Sequence, residues 1–275
     1  MKIFIKTIVI IVCFTQAIVL AQTTKIDLNQ KLPIDTHLII GKLSNGLTYY
    51  IRANQKPEKR AIFYLAVNAG SVLETDYQVG LAHFTEHMGL NGTKQYPGNT
   101  LIDELEKKGI VFGREINAYT SFDETVYYVT LPTDDSVLFN MGLKILDCWA
   151  FGMLMTEKEI DKERGVIIEE WRTRVGAGNR LREKTLPIEL KGAKYVDRLP
   201  IGTLENLQQF TYASIRNYYK TWYRSDNMAL VVVGDFDPIR MEQMLKDFFE
   251  MNDASATPLY RPYNNIPDNK EPLIA

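Results

Sequence analysis

The sequence is poor in the residues that usually staple small or metal-rich proteins. Cysteine occurs twice in 275 residues, at Cys13 and Cys148, which excludes a disulfide scaffold and a cysteine-rich zinc knuckle. Histidine occurs three times, at His37, His83 and His87. Net charge is nearly absent, 32 Lys and Arg against 34 Asp and Glu, so nothing electrostatic calls for a nucleic-acid partner. Short tandem repeats are lacking. Only one long apolar run is present, residues 7–20 (TIVIIVCFTQAIVL), so no second candidate for a membrane span follows it. What remains is ordinary globular composition, 45% hydrophobic and 24% charged, in a length that suits one large domain or about two average ones.

The apolar run reads as part of a secretory signal peptide over residues 1–21. Lys2 and Lys6 form a basic start, the run is shorter than the roughly 20 residues a bilayer core needs, and Val19-Leu20-Ala21 supplies a cleavage site before Gln22. Cleavage would leave no membrane segment, Cys148 as the sole cysteine, and 30 basic against 34 acidic residues. Cys148 sits in an apolar helical pattern and reads as a buried filler. The form of the signal suits export to a bacterial periplasm.

Residues 38–52 read as two strands joined at Ser44-Asn45-Gly46, a strong hairpin turn. Residues 61–69 predict a central strand, 115–131 two strands with a turn near Ser121–Asp123, and 228–234 a buried strand. Helices are expected at 78–89, at 100–108 with Thr100 as N-cap, at 134–151, at 156–174 with Thr156 opening a capping box, at 207–222 and at 238–250. The last stretch, 254–275, carries four prolines and reads as a linker. Hairpin-joined strands interleaved with helices favour an α+β fold, a mainly antiparallel sheet covered by helices.

Function concentrates in HFTEH, residues 83–87. On a helix, positions i and i+4 lie about 40° apart and i+3 about 60° the other way, so His83, Glu86 and His87 share a face. This is the H-x-x-E-H order of the inverted zinc peptidases. Two imidazoles and one further donor leave a zinc ion a fourth position for water, and a carboxylate beside it can move the water's proton. A plain surface helix could carry the same residues. Here, however, the helix is otherwise apolar (Val79, Leu81, Ala82, Phe84, Met88), and burying such polar groups without a ligand costs a few kcal/mol. His37 could be the third donor but has no local support. The helix 156–174 is the better source, with Glu163 and Glu170 within about 20° of each other, while Glu169 points about 100° away. Glu157, Lys158, Glu159 and Lys162 read as a solvated face.

HFTEH followed some eighty residues later by ERGVIIEE resembles the pitrilysin/insulinase zinc metallopeptidases. So do NGL at 45–47, GLAHFTEHM at 80–88, NGT at 91–93, INAYTSFDETVY at 116–127 and VVVGDF at 231–236. The resemblance runs from about residue 38 to 250 and is closest to the bacterial periplasmic branch. It implies one zinc ion per chain held by His83, His87 and Glu170, with Glu86 as general base and Glu163 supporting the site. It implies that Asn117 and Ala118 begin a sheet-edge strand that pairs with the backbone of a peptide substrate. The implied activity is hydrolysis of exported oligopeptides or unfolded segments, and the alternative is a non-catalytic binding or assembly subunit of the same fold. Two departures stand out. Thr85 occupies a position where relatives commonly carry leucine. Members also work as pairs of similar domains, whereas this sequence holds a domain at 22–253 and a linker toward a missing second domain or subunit.

Overall fold

The computed structural model describes residues 31–268 except 175, 253, 263, 265 and 266; the expected signal peptide lies outside them. The chain divides into two units, Met1–Asp35 and Thr36–Ala275, and the elements below belong to the second. The strands are β1 (Leu38–Lys42), β2 (Thr48–Ala53), β3 (Arg60–Val67), β4 (Ile116–Thr120), β5 (Thr125–Pro132) and β6 (Met228–Gly234). The helices are α1 (Leu81–Leu90), α2 (Thr100–Glu106), α3 (Ser136–Phe151), α4 (Glu157–Thr173), α5 (Ala177–Glu189), α6 (Leu204–Gln209), α7 (Tyr212–Trp222) and α8 (Pro238–Phe249). Among the described residues no helix is long and apolar enough to cross a membrane.

The six strands form one sheet in the order β1-β2-β6-β3-β5-β4. Every pairing is antiparallel except β2 with β6, which is parallel. The expected α+β architecture is therefore the observed one. Strand alternation explains the core. Ile51, Val232, Phe63, Val129 and Ile116 lie opposite one another across five neighbouring strands, all fully buried, in one row on the helix-covered face. The opposite face carries half-buried residues such as Tyr64 and Tyr128, whose rings sit 5.5 Å apart.

α3 packs on β3 and β5, and α8 on β2. α1 lies against β4 and β5 and is held from the other side by α4 and α7. It is buried nearly all round, which accounts for its near-continuous apolar pattern.

Three local expectations are corrected. Thr100 is the first residue of α2 and does not cap it; its hydroxyl donates to the Pro97 carbonyl, and Asn99 takes the cap position. The helix expected over 207–222 is two helices. Phe210 is extended, and Thr211 accepts the Ser214 N–H and restarts the chain as α7. The break lets Phe210 set its ring edge-on against Phe84 of α1, 4.8 Å away. Finally, α5 occupies a stretch for which no element was expected. Thr156 does cap α4, accepting the Glu159 N–H.

The start of α1 is braced by a close backbone crossing. Gly202 has φ +75°, and a Cβ there would lie 2.6 Å from the Cα of Gly80. Gly202→Ala is expected to destabilise the fold by roughly 1–3 kcal/mol, read as a lowered urea midpoint with unchanged slope.

Candidate metal centre

The first turn of α1 is capped from a distance. Gly80, in the N-cap position, has no side chain to offer the free N–H groups. Fully buried Glu74 takes that role: Oε2 accepts the Gly80 N–H at 3.0 Å and Oε1 the Ala82 N–H at 2.7 Å. A carboxylate at a helix N-terminus also suits the helix dipole. Lys194 and Arg198 in turn donate to the Glu74 carbonyl.

Burial pushes the Glu74 carboxyl up to about 8, against the favourable pull of those two N–H bonds. The folded protein therefore holds this proton more tightly than the unfolded chain. Stability from this group is complete below an ordinary carboxyl pKa of about 4.5 and is lost as pH rises toward about 8. Glu86, raised by burial to about 7, adds a slope of the same sign. Unfolding free energies from urea titrations should fall between about pH 6.5 and 8, above the range where the depressed His83 adds an opposite slope, by up to about 1.4 kcal/mol per pH unit for each proton, and Glu74→Gln should flatten the fall.

One turn further along α1, His83 and His87 point into a cleft with their rings 4.6 Å apart, centroid to centroid. Glu170, delivered by α4, meets both. Its Oε2 lies 3.6 Å from His83 Nε2 and 3.4 Å from His87 Nε2. Among the described residues these three form the group able to hold a metal ion, one atom from each lying within 4.8 Å of the others. Exposed His37 is not part of it. Around a tetrahedral cation with bonds of about 2.0–2.1 Å, neighbouring ligand atoms stand about 3.3–3.4 Å apart, so the donor set fits such an ion.

The protonation states follow from the surroundings. Burial, helped by neighbouring His87, pushes His83 down to about 4, leaving it neutral at pH 7. Its buried Nδ1 has no hydrogen-bond partner among the described residues, and the ring turns Nε2 to the site. Burial alone would lower His87 too, but hydrogen bonds with Glu163 and Glu170 outweigh it and carry His87 up to about 10. Hydrogen bonding with His87, against the pull of burial, holds Glu170 down at about 2.

Glu163 stands behind the pair. His87 Nδ1 is 2.8 Å from Glu163 Oε1, so a proton on Nδ1 is donated there and Nε2 stays directed at Glu170. Asn91 donates to the other Glu163 oxygen at 2.6 Å. Glu86 is buried beside the set, its Oε2 3.9 Å from His83 Nε2, and Thr120 Oγ1 donates to that oxygen at 3.0 Å.

The cleft has a volume of about 550 Å³. Asn117, Ala118 and Thr120 form one wall, and Ile102, Phe112 and Val166 add apolar surface. Val166 is half exposed on this wall, while its neighbour Ile167 is fully buried. Among the described residues β4 ends the sheet and pairs only with β5. Glu115 and Ser121 bond toward β5, so by strand alternation Ala118 and Thr120 turn their main-chain groups outward. The outward Ala118 N–H is accepted by the Asn117 side chain at 2.9 Å. Cys148, 1% exposed, is the buried filler expected of it.

The pattern of the family described as Insulinase (Peptidase family M16) matches residues 49–190, more than half of the chain. The chain belongs to this peptidase family. A second pattern, described as the Peptidase M16 inactive domain, matches residues 209–274, the tract that contains α7, β6 and α8. Relatives within the family include the probable zinc protease PqqL of Haemophilus influenzae, 37% identical over 252 residues, which covers 91% of this chain and 27% of that protein. The probable zinc protease PqqL of Escherichia coli is 41% identical over 216 residues, 78% of this chain and 23% of that protein. The chain thus spans about a quarter of the length of these curated relatives. Among solved structures, the first half of the periplasmic protease PqqL from Escherichia coli superposes with a TM-score of 0.82 at 38% identity, covering 88% of this chain and 51% of that one.

All the residues singled out in HFTEH, ERGVIIEE and INAYTS meet at this one cleft. Four supporting residues were not anticipated. Asn91 continues the 83–87 stripe by one more helical turn, and Arg174 follows Glu170 by four residues, so both carried a readable spacing. Thr120 and Glu74 act across the fold and carried no local signal.

Proposed function

We propose that this chain is the metal-bearing part of a zinc endopeptidase that hydrolyses peptide bonds in exported oligopeptides or unfolded segments. The observation that carries the reading is the convergence of His83, His87 and Glu170, one ligand atom from each within 4.8 Å of the others and Glu170 Oε2 3.6 and 3.4 Å from the two Nε2 atoms, with the Glu86 carboxylate alongside. A zinc ion held there would act as a Lewis acid and lower the pKa of a water to about 7.

The residues of the chain supply the rest. Glu86, buried beside the donor set, is placed to accept a proton from water and return it to the departing amine. Thr120 aims the carboxylate, and Glu163 with Asn91 holds the tautomer and orientation of His87. An extended peptide adds to the outer edge of β4, where Ala118 offers its outward main-chain groups and Asn117 stands beside it at the start of the strand, the peptide main chain lying along the cleft wall. Binding there requires Asn117 Oδ1 to release the Ala118 N–H.

A second similar domain or subunit completes the enzyme, in keeping with the quarter-length coverage of the relatives. On this reading residues 1–21 direct export, and the compartment is a bacterial periplasm, as for the relative whose structure is described as a periplasmic protease.

The test is zinc content per chain followed by cleavage of a quenched peptide, by the chain alone and with a second half-length domain. One zinc per chain and cleavage that rises with the second domain are expected. A chain that takes up no zinc, or a mixture that never cleaves, overturns the proposal.

A further inference from the structure

The two oxygens of Glu170 have different partners. Oε2 faces both imidazoles, at 3.6 and 3.4 Å, while Oε1 is ion-paired with Nη2 of Arg174. We propose that Arg174 is a positioning residue that limits Glu170 to one ligating oxygen and so keeps the fourth corner of the metal site free for water. This rests on the reading of His83, His87 and Glu170 as zinc ligands.

A carboxylate can bind a cation through one oxygen or two. In the two-oxygen mode Glu170 would take a further coordination position, the space a reacting water needs. The guanidinium makes that swing costly, because Oε1 would have to leave a charge-assisted hydrogen bond. Arg174 is itself fastened. It caps the C-terminal end of α4, its N–H bonded to the Trp171 carbonyl, and Asn179 of α5 donates to its own carbonyl. The side chain is half exposed, yet it borders the metal cleft and also a neighbouring cavity of about 340 Å³ that shares Thr120, Pro200 and Ile201 with it. It thus stands within the cleft wall at the point where Glu170 enters. The same device recurs two turns back on the same face of α4, where Asn91 occupies the second oxygen of Glu163.

Cobalt(II) in place of zinc reports coordination number directly, because four-coordinate sites absorb visible light far more strongly than five-coordinate ones. The experiment loads the full chain with cobalt and compares it with Arg174→Ala and Arg174→Lys. The parent is expected to show the strong four-coordinate band. Arg174→Ala should lose several-fold in intensity with one cobalt still bound, and Arg174→Lys should recover most of it. Circular dichroism and melting should match across all three, since the residue is half exposed at a helix end. A strong, unchanged band in Arg174→Ala overturns the proposal, as does a parent band already of the weak kind. A parent that binds no cobalt instead overturns the metal-centre reading, and that result is obtained before any variant is examined.

Discussion

Glu86→Gln is expected to keep one zinc per chain while lowering kcat for peptide hydrolysis about 100- to 10,000-fold, the range for loss of a general acid–base group. The amide preserves the shape of the side chain and can still receive the Thr120 hydroxyl. It cannot accept a proton from water. Glu86 lies beside the donor set without belonging to it, so metal content should not follow activity downward. Metal analysis and kinetics on the same preparation decide the matter. Cleavage at the parent rate would remove Glu86 from the mechanism and leave the cleft with no buried carboxylate poised for that proton.

The second large effect separates ligands from their supports. His87→Ala and Glu170→Ala each delete one of three donors and should abolish stoichiometric zinc, measured after exhaustive dialysis. Glu163→Gln should weaken zinc binding by about 10- to 100-fold, the usual cost of losing an outer partner of a metal-bound imidazole. The reasoning is geometric: Glu163 reaches His87 through Nδ1, on the side of the ring away from Glu170. If Glu163→Gln lost metal as completely as Glu170→Ala, the two glutamates would have to exchange roles.

Local chemistry made much of this legible before any coordinates. The Asn45-Gly46 turn, the apolar, β-prone run of β3 and the near-unbroken apolar run of β6 announced their elements. HFTEH announced its own face because positions i, i+3 and i+4 return to the same side of a helix. The seven-residue spacing of Glu163 and Glu170 placed both on one side of α4, but spacing alone did not choose the ligand. That choice depends on how α4 leans against α1, a tertiary contact no single segment contains. The same limit hid Thr120 and Glu74, which act on α1 from elsewhere in the fold. The break at Phe210 was missed for a different reason. A helical pattern over 207–222 is real, yet the cap supplied by Thr211 and the pocket beside Phe84 together outweigh one more turn of helix.

The placement of β6 has a consequence for how the protein comes into being. β1 and β2 form one hairpin, and β3, β5 and β4 form a separate ladder; β6 is the single strand that joins them, parallel to β2 and antiparallel to β3. It begins at Met228, late in the chain, so the two half-sheets can be united only once that strand is available. Until then β2 and β3 each present an unpaired edge, the kind of surface that recruits other chains. A nascent polypeptide arrested anywhere before residue 228 would expose both edges at once, and a folding helper that shields β-edges would have its longest task in that interval.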